Sequence, residues 1–355
     1  MFLAWNEIKK NKLRFLLITG VLMLVAYLVF FLSGLATGLQ SLNREAVDKW
    51  GGTAILLSQD ADKSLYQSAI DRTEFSNLDM ERTAFLSQFS TIAQNDETKK
   101  NVSIFGIEED SFLIPEVTEG VLYKGENEVV ASDALEELGF KLGDELSISS
   151  SDEKLTITGF TKNARFNAAP VLYTTIETLQ HVKYGDRAEE NKNVRNALIT
   201  KDEDALSSDA PKAYEWVRME IFVKNLPGYT EQNMTLTFMI YFLFVISSVI
   251  VAIFLYVLTV QKISMFGVMK AQGISNSYLA RSVMAQTAIL AFIGTVVGLL
   301  LTLLTGVFLP AVVPVTFDAM QMIIYGAVLI VVAIAGALFS VWTIVRIDPL
   351  KAIGG

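Results

Sequence analysis

Four stretches of the chain carry no charged side chain: residues 15–39, 235–260, 283–317 and 319–345. A helix rises about 1.5 Å per residue, so roughly 20 residues cross a hydrocarbon core about 30 Å thick. Each stretch is long enough. Inside lipid every backbone N–H and C=O must find its partner within the segment, so all four are expected as helices. A cleaved signal peptide does not account for the first, FLLITGVLMLVAYLVFFLSGLATGL. Such a segment has an apolar core of about 7–15 residues followed by a small-residue cleavage site. This one is longer and has no such site.

Between the first and second stretches the pattern changes to short apolar runs. TAILL (53–57), VSIFGI (102–107), EVVAS (128–132), ELSIS (145–149), KLTITGF (154–160), VLYTT (171–175), ALIT (197–200) and EIFV (220–223) predict strands. Helical patches are expected at Asp79–Gln94, Asp133–Leu138, Ile176–Val182 and Ala210–Val217. LGFKLGDEL turns through Gly139 and Gly143 into a strand, and RAEENKNVRN (187–196) reads as a solvated loop. The segment is large enough for its own core. The expected fold is an α-helical membrane protein with four transmembrane helices, one plus three. A mixed α/β extracellular domain is inserted between the first and second.

Charge gives this layout a direction. Lys9, Lys10, Lys12 and Arg14 precede the first span; Lys262, Lys270 and Arg281 lie between the second and third; Arg346 and Lys351 follow the fourth. The connection LPAVVPVTFDAMQ has no Lys or Arg. Basic residues are retained on the cytoplasmic side, so both termini and the 261–282 segment are expected inside. The expected divisions are 1–13, a cytoplasmic interfacial helix; 14–44, the first span and a stalk; 45–234, the extracellular domain; and 235–260, the second span. A cytoplasmic coupling segment (261–282), the third span (283–308), a short outer loop (309–321), the fourth span (322–345) and a cytoplasmic tail (346–355) complete the chain. The net charge of −9 belongs to the outer segment, where residues 40–234 hold 35 acidic and 20 basic side chains. No basic stripe on a soluble face points to nucleic acid.

The chain shows no catalytic machinery of its own. It has no Walker A loop, no G-x-S-x-G elbow, no Cys, and a single histidine, His181, so an HExxH zinc site is excluded. It is expected not to be an enzyme, and to bind no metal apart from what a substrate brings. The spans carry none of the buried charges that mark ion relays; energy is therefore expected from a partner. Gly34 and Gly38 in the first span and Gly294 and Gly298 in the third form GxxxG pairs, candidates for close helix contact. TVQKISMFGVMKAQGIS (259–275) follows the second span, with Lys262, Phe266, Lys270 and Gly273 as candidates for contact with a cytoplasmic partner. A basic loop lying on anionic lipid fits the same composition.

FGVMKAQGISNSYLARSVMAQ resembles the segment after the second span in MacB/FtsX-type ABC transporter permeases, where a Lys-Ala-x-Gly run precedes the third span. RIDPLKAIGG is similar to that family's closing motif, and VVASDALEELGFKLGDELSI resembles its outer core domain. Within the family, LAWNEIKKNKLRFLLI, FLSGLATGL, YVLTVQKISMFGVMKAQGI and DPLKAIGG are most similar to the heme-exporting HrtB-type permeases. The resemblance implies a permease homodimer in the cytoplasmic membrane of a Gram-positive bacterium, bound to two cytoplasmic ATPase subunits that dock on the 261–281 segment. ATP is then hydrolysed by the partner, and heme is a substrate taken laterally from the membrane and released outside. Heme iron needs axial ligands such as Met, Tyr or a carboxylate. Near the outer ends of the first two spans stand Glu45, Tyr229, Met234 and Met239; GYTEQNMTLTFMI is similar to the entry to the second span in heme-exporting relatives. Phe166 stands where some relatives carry Tyr. Two other readings stay within the family: a permease for antimicrobial peptides or lipids, and a mechanotransmitting regulator of an extracellular hydrolase.

Overall fold

The charge-free run that begins at Phe15 is helical, and the helix continues well past it. The structure, a computed structural model, describes residues 12–75, 79, 81–95, 98–149, 151–207, 211–261, 263–310 and 313–345. Helix α1 spans Lys12–Trp50. It stops where Gly51 takes φ +60°, a left-handed value that lets glycine close a helix without a Cβ penalty. The chain divides into two compact units, one of Met1–Leu39 with Asn233–Gly355 and one of Gln40–Gln232. The 1–13 and 346–355 segments, with RIDPLKAIGG, lie outside the described residues apart from Lys12 and Leu13.

In the outer unit, strands β1 (Ala54–Ser58), β2 (Ile70–Asp71), β3 (Thr83–Gln94), β4 (Lys99–Ile107), β5 (Glu119–Gly120), β6 (Glu128–Ser132), β7 (Glu145–Ile148), β8 (Lys154–Thr161), β9 (Arg165–Phe166), β10 (Ala169–Thr175), β11 (Val194–Arg195), β12 (Ala197–Thr200) and β13 (Tyr214–Arg218) alternate with α2 (Asp133–Glu136), α3 (Ile176–Tyr184) and α4 (Met219–Lys224). The main sheet runs β13-β1-β12-β3-β4-β10-β6-β8-β5. It is mixed: β4 with β10 and β6 with β8 are parallel, while β3 pairs β4 antiparallel from Leu86 opposite Ile107 to Gln94 opposite Lys99. Alternate residues feed two cores. Phe105, Ile107, Val130, Val171 and Tyr173 face a cluster completed by Ala46, Val47 and Trp50 of α1. Val102, Ile104, Val129, Ala131 and Leu172 face the opposite cluster, covered by Leu179 and Val182 of α3. This period of two is what a sheet buried on both faces requires.

Four expectations for this unit need correction. Within the helix expected at Asp79–Gln94, Thr83–Gln94 is instead the long strand β3, paired with β4, β12 and β7. Its apolar spacing also fits a helix face, and cross-strand pairing decides between the two. The described part of Ala210–Val217, from residue 211 on, is not helical either. Tyr214–Arg218 is edge strand β13, antiparallel to β1, and its Tyr, Trp and Val suit a strand. Glu220–Val223 is helical, not a strand. Met219, Phe222, Val223 and Leu226 recur at i, i+3, i+4 and i+7, and that face packs on the Trp50 cluster. The 187–196 segment is no plain loop. It holds short 3₁₀ turns and β11, and Asn196 is buried, donating to the carbonyls of Leu65 (3.2 Å) and Ser68 (2.8 Å) while accepting from the Gln88 N–H (2.7 Å).

The other unit holds the lipid-length helices: α1 through Leu39, α5 (Tyr229–Gln261) from Asn233, α7 (Asn276–Phe308) and α8 (Ala319–Val345), with the short α6 (Ile263–Ala271) between α5 and α7. Among the described residues, four helices are long and apolar enough to cross a membrane. Helix α1 shares one apolar cluster with the other three: Phe15, Ile18 and Leu22 lie in it with Val251 and Leu255 of α5, Leu290 and Ala291 of α7, and Ala333 and Ala337 of α8.

Lipid offers no hydrophobic drive for helices to associate, so close approach at small residues matters. A Cβ on Gly294 would lie 2.9 Å from the Leu22 Cβ, and one on Gly298 would lie 2.7 Å from the Ala26 Cβ and 2.8 Å from the Met23 carbonyl oxygen. The same seam carries the Thr302 hydroxyl donating to the Tyr27 carbonyl oxygen (3.3 Å). Gly34 and Gly38 meet a loop instead of a helix. The Phe317 ring would lie 2.6 Å from a Gly34 Cβ, the Pro314 carbonyl oxygen would block a Gly38 Cβ, and the Thr316 N–H donates to the Gly34 carbonyl oxygen (3.0 Å). Both GxxxG pairs therefore make contacts within the chain.

Candidate functional site

The last turns of α1 set up the outer unit's most chemically dense region. Ala46, Val47 and Trp50 turn to the core, while Arg44 and Asp48, four residues apart on the open face, form an ion pair (2.6 Å). Glu45 sits at the boundary between the two faces. Its Oε2 accepts the Arg165 backbone N–H (3.1 Å) and its Oε1 accepts Arg165 Nη1 (3.3 Å). Arg165 also reaches Glu137 at 3.4 Å. The Glu45 and Arg165 side chains are only 13% and 21% exposed, so the pair is shielded from water, and losing either partner would leave the other's charge uncompensated. Lys49 donates to the Thr161 hydroxyl (3.1 Å) and to the Lys162 carbonyl oxygen.

Beneath Glu45 lies an aromatic cluster. Trp50 stacks on Phe166 (6.4 Å between centroids) and Phe222 (6.2 Å), and Phe105 meets Phe166 edge-on at 5.3 Å. Tyr229 belongs to the same cluster and is buried, with its hydroxyl beside the Arg44 guanidinium. Burial pushes the Tyr173 and Tyr123 hydroxyls above the ordinary phenol range, so both stay protonated at neutral pH. The Trp50 indole N–H has no hydrogen-bond partner.

The structure brings Glu45 and Tyr229 into this one region. Met234 and Met239, on the same helix as Tyr229, belong to the membrane unit, where they are 54% and 45% exposed. Their thioethers are accessible from the surface of α5. Phe166 cannot ligate iron, and its ring is part of the packed cluster. Arg165, its neighbour, was not singled out from the sequence. The available signal was a cation next to Phe166 in NARFN, within an acidic domain. His181 is exposed on α3, beside a cleft of about 700 Å³ whose lining mixes carboxylates with Lys192 and Arg195. Among the described residues no three His, Cys, Asp or Glu side chains converge as a metal ion would need.

In the α6 region, Phe266 is only 4% exposed and packs on Leu279 and Val283 of α7, with Val341 of α8 partly buried beside it. It holds α6 against its own unit. Lys270 is half-buried near the end of α6, and Gly273 lies exposed in the turn that follows. That turn is a helix cap: the Gly273 N–H donates to the Lys270 carbonyl oxygen (2.9 Å) and the Ile274 N–H to that of Met269 (3.0 Å), with Gly273 at φ +89°. Ser275 then caps α7, its hydroxyl accepting the Tyr278 N–H (3.3 Å). Lys262 lies outside the described residues.

Residues 237–349 match the family model of the FtsX-like permease C-terminal domain. A protein of Staphylococcus epidermidis provisionally named hemin transport system permease protein HrtB is 27% identical over all of this chain and 99% of its own length. Its namesake in Staphylococcus haemolyticus is 25% identical over the same shares. An uncharacterized ABC transporter permease of Mycobacterium bovis is 24% identical, again over all of this chain and 99% of the relative. Among solved structures, the periplasmic region of MacB from Actinobacillus actinomycetemcomitans aligns with 48% of this chain and 90% of its own, at 12% identity and a TM-score of 0.36. The extracellular domain of the ABC-type transporter YknZ from Gram-positive bacteria aligns with 47% of this chain and 99% of its own, at 13% identity and a TM-score of 0.34.

Proposed function

We infer that this chain, an ABC transporter permease of the FtsX type, exports hemin or a closely related planar amphiphile, using ATP hydrolysed by a separate cytoplasmic subunit. The observation that carries the reading is its end-to-end similarity to permeases named for hemin transport. The residues around Glu45 support it. A carboxylate and a phenol are hard oxygen donors suited to ferric iron, and Tyr is a known axial ligand of heme. Here Glu45 and Tyr229 border one aromatic cluster that suits a flat apolar ring; Met234 and Met239 are separate candidates, with accessible thioethers on α5. Hemin's carboxylates would find cations in Arg44 and Arg165.

In this reading two copies of the chain work with two ATPase subunits in the cytoplasmic membrane. Residues 45–234 stand outside; the termini and 261–282 stand inside. Lys270 and the Gly273 turn receive the ATPase, and Phe266 transmits its push to α7.

The test is hemin titration of the purified full-length permease with its ATPase, followed by the Soret band. Glu45→Gln and Tyr229→Phe are each expected to weaken binding about tenfold, near 1.4 kcal/mol, and to shift the band. Tyr229→Phe keeps the ring in its packed position, so its effect isolates the hydroxyl. Unaltered affinity and an unaltered band in both variants would remove these two residues from the site. Absence of saturable hemin binding in the unsubstituted protein would remove the substrate.

A further inference from the structure

We propose that the cleft beside α3 is a second ligand site of the outer unit, one that takes a small organic polycation whose amine N–H donors are joined by methylene spacers, the chemistry of an alkyl polyamine. The cleft of about 700 Å³ is formed by one face of α3, the β7–β8 turn at Ser151–Glu153 and the chain from Gly185 to Arg195. That volume is within the ordinary range of ligand pockets. Helix α3 covers the core cluster on the opposite side of the sheet from Trp50, and none of the residues around Glu45 lines the cleft. The site stands whether or not the chain moves hemin.

Asp152, Glu177 and Asp186 are exposed in the cleft, and among the described residues they have no hydrogen-bond or ion-pair partner for their carboxylates. The cations of the lining are already engaged. Lys192 pairs with Glu189, and Arg195 donates to the carbonyl oxygens of Lys192 (2.7 Å) and Val194 (3.0 Å) and to Glu108 (3.4 Å). Three carboxylates alone make only a solvated face; Gln180 makes this one a site. It is only 5% exposed and lines the cleft on the same helix face as Glu177 and His181. Its Nε2 donates to the carbonyl oxygens of Asn191 (3.0 Å) and Lys192 (3.0 Å). A turned-over amide would set its oxygen against those two acceptors, so the orientation is fixed. The Gln180 Oε1 thus points away from them. It accepts no hydrogen bond from the chain, and unlike the sealed polar atoms of the core it keeps accessible surface. A ligand donor can reach it.

The cleft is held open by the chain's own hydrogen bonds. Gly185, at φ +55°, ends α3 and donates its N–H to the His181 carbonyl oxygen. The chain then turns back as the far wall, and Gln180 and Arg195 pin that wall through the Asn191, Lys192 and Val194 carbonyls. Buried Ile176, Val182 and Ala188 add apolar lining between the polar groups. Among the described residues no three His, Cys, Asp or Glu side chains converge as a metal ion would need, so the carboxylates do not suit a point cation. Positive charge spaced along an aliphatic chain matches them: each ammonium meets a carboxylate, one N–H meets the Gln180 Oε1, and the methylenes lie on the apolar lining.

The experiment is equilibrium dialysis of radiolabelled spermidine against the purified full-length chain in a neutral detergent at low ionic strength, with unlabelled spermidine and magnesium ion as competitors. Saturable binding is expected, with magnesium competing at least about tenfold more weakly, because it sheds its water reluctantly and finds no ligand set here. Glu177→Gln combined with Asp186→Asn should weaken binding at least about fivefold. Asp60→Asn combined with Asp62→Asn removes two exposed carboxylates outside the cleft and should change it by less than about twofold. Gln180→Met removes the acceptor without altering charge and should also weaken binding about fivefold. If Gln180→Met does not fold, the comparison of the two double variants decides. Non-saturable uptake, equal competition by magnesium, equal losses in the two double variants, or unchanged affinity in a folded Gln180→Met would mean diffuse attraction to an acidic surface and would overturn the site.

Discussion

Replacing Gly298 by leucine is expected to destabilise the membrane unit by about 3 kcal/mol or more, the upper range for overpacking a filled interior. The cause is local and severe. A Cβ at this position already falls 2.7 Å from the Ala26 Cβ, 2.8 Å from the Met23 carbonyl oxygen and 3.0 Å from the Tyr27 N–H nitrogen. Two of these atoms are backbone and cannot rotate away. The only relief is separation of α7 from α1, which would also break the bond from the Thr302 hydroxyl to the Tyr27 carbonyl oxygen and the 3.3 Å contact between the Tyr27 and Thr305 hydroxyls. Helix α1 contributes to two of the apolar clusters among the spans, so its displacement propagates. The measurement is unfolding of the detergent-solubilised chain by titration with a denaturing detergent. Gly20→Leu supplies the control: it lies on the same first span, and a Cβ there meets nothing within 4 Å. It should be neutral. Equal behaviour of the two variants would mean that the α1–α7 seam is not packed as described.

The second large effect is on coupling. Gly273→Val forces a β-branched residue into φ +89°, where L-residues other than Gly, Asn and Asp pay roughly 1–2 kcal/mol. The cap that closes α6 would open, and with it the defined approach to α7 from Lys270. ATP-driven export by the full complex is expected to fall at least about tenfold, with hemin affinity unchanged. Lys270→Glu should do the same by reversing the charge beside the turn. Gly273→Asn, which tolerates the left-handed conformation, should restore much of the activity. That rescue separates a conformational requirement from mere bulk. Normal export in both Gly273→Val and Lys270→Glu would withdraw the docking role from this segment.

How far the sequence foretold these features depended on the range of the interactions involved. The spans were readable because lipid enforces one local rule, long charge-free helices. The strands at 102–107, 128–132 and 171–175 were readable because each is a short apolar run buried on both faces. The 83–94, 214–218 and 219–224 segments were misread where one apolar pattern satisfied both periods and a distant partner chose between them: β4 for the first, β1 for the second, the Trp50 cluster for the third. The candidate site was legible as single residues. Glu45 and Tyr229 could be singled out, but their common cluster depends on Trp50, Phe105 and Phe222, which lie far apart in the chain. Arg165 was invisible for the same reason. Phe266 could be singled out in the sequence, but its burial against Leu279 and Val283 could not be read there. The GxxxG pairs could be seen in sequence, while their partners, a helix for one and the Pro314–Phe317 loop for the other, could not.

The central claim is a topology: four crossings, with the 40–232 unit outside and the Gly273 turn inside. The chain contains no cysteine, so single cysteines report without background. In intact cells a membrane-impermeant maleimide should label Glu190→Cys, on an exposed outer turn, and leave Gln272→Cys, exposed beside Gly273, unlabelled until the membrane is permeabilised. Labelling of Gln272→Cys in intact cells, or protection of Glu190→Cys, would contradict the arrangement and leave a cytoplasmic ATPase nothing to act on.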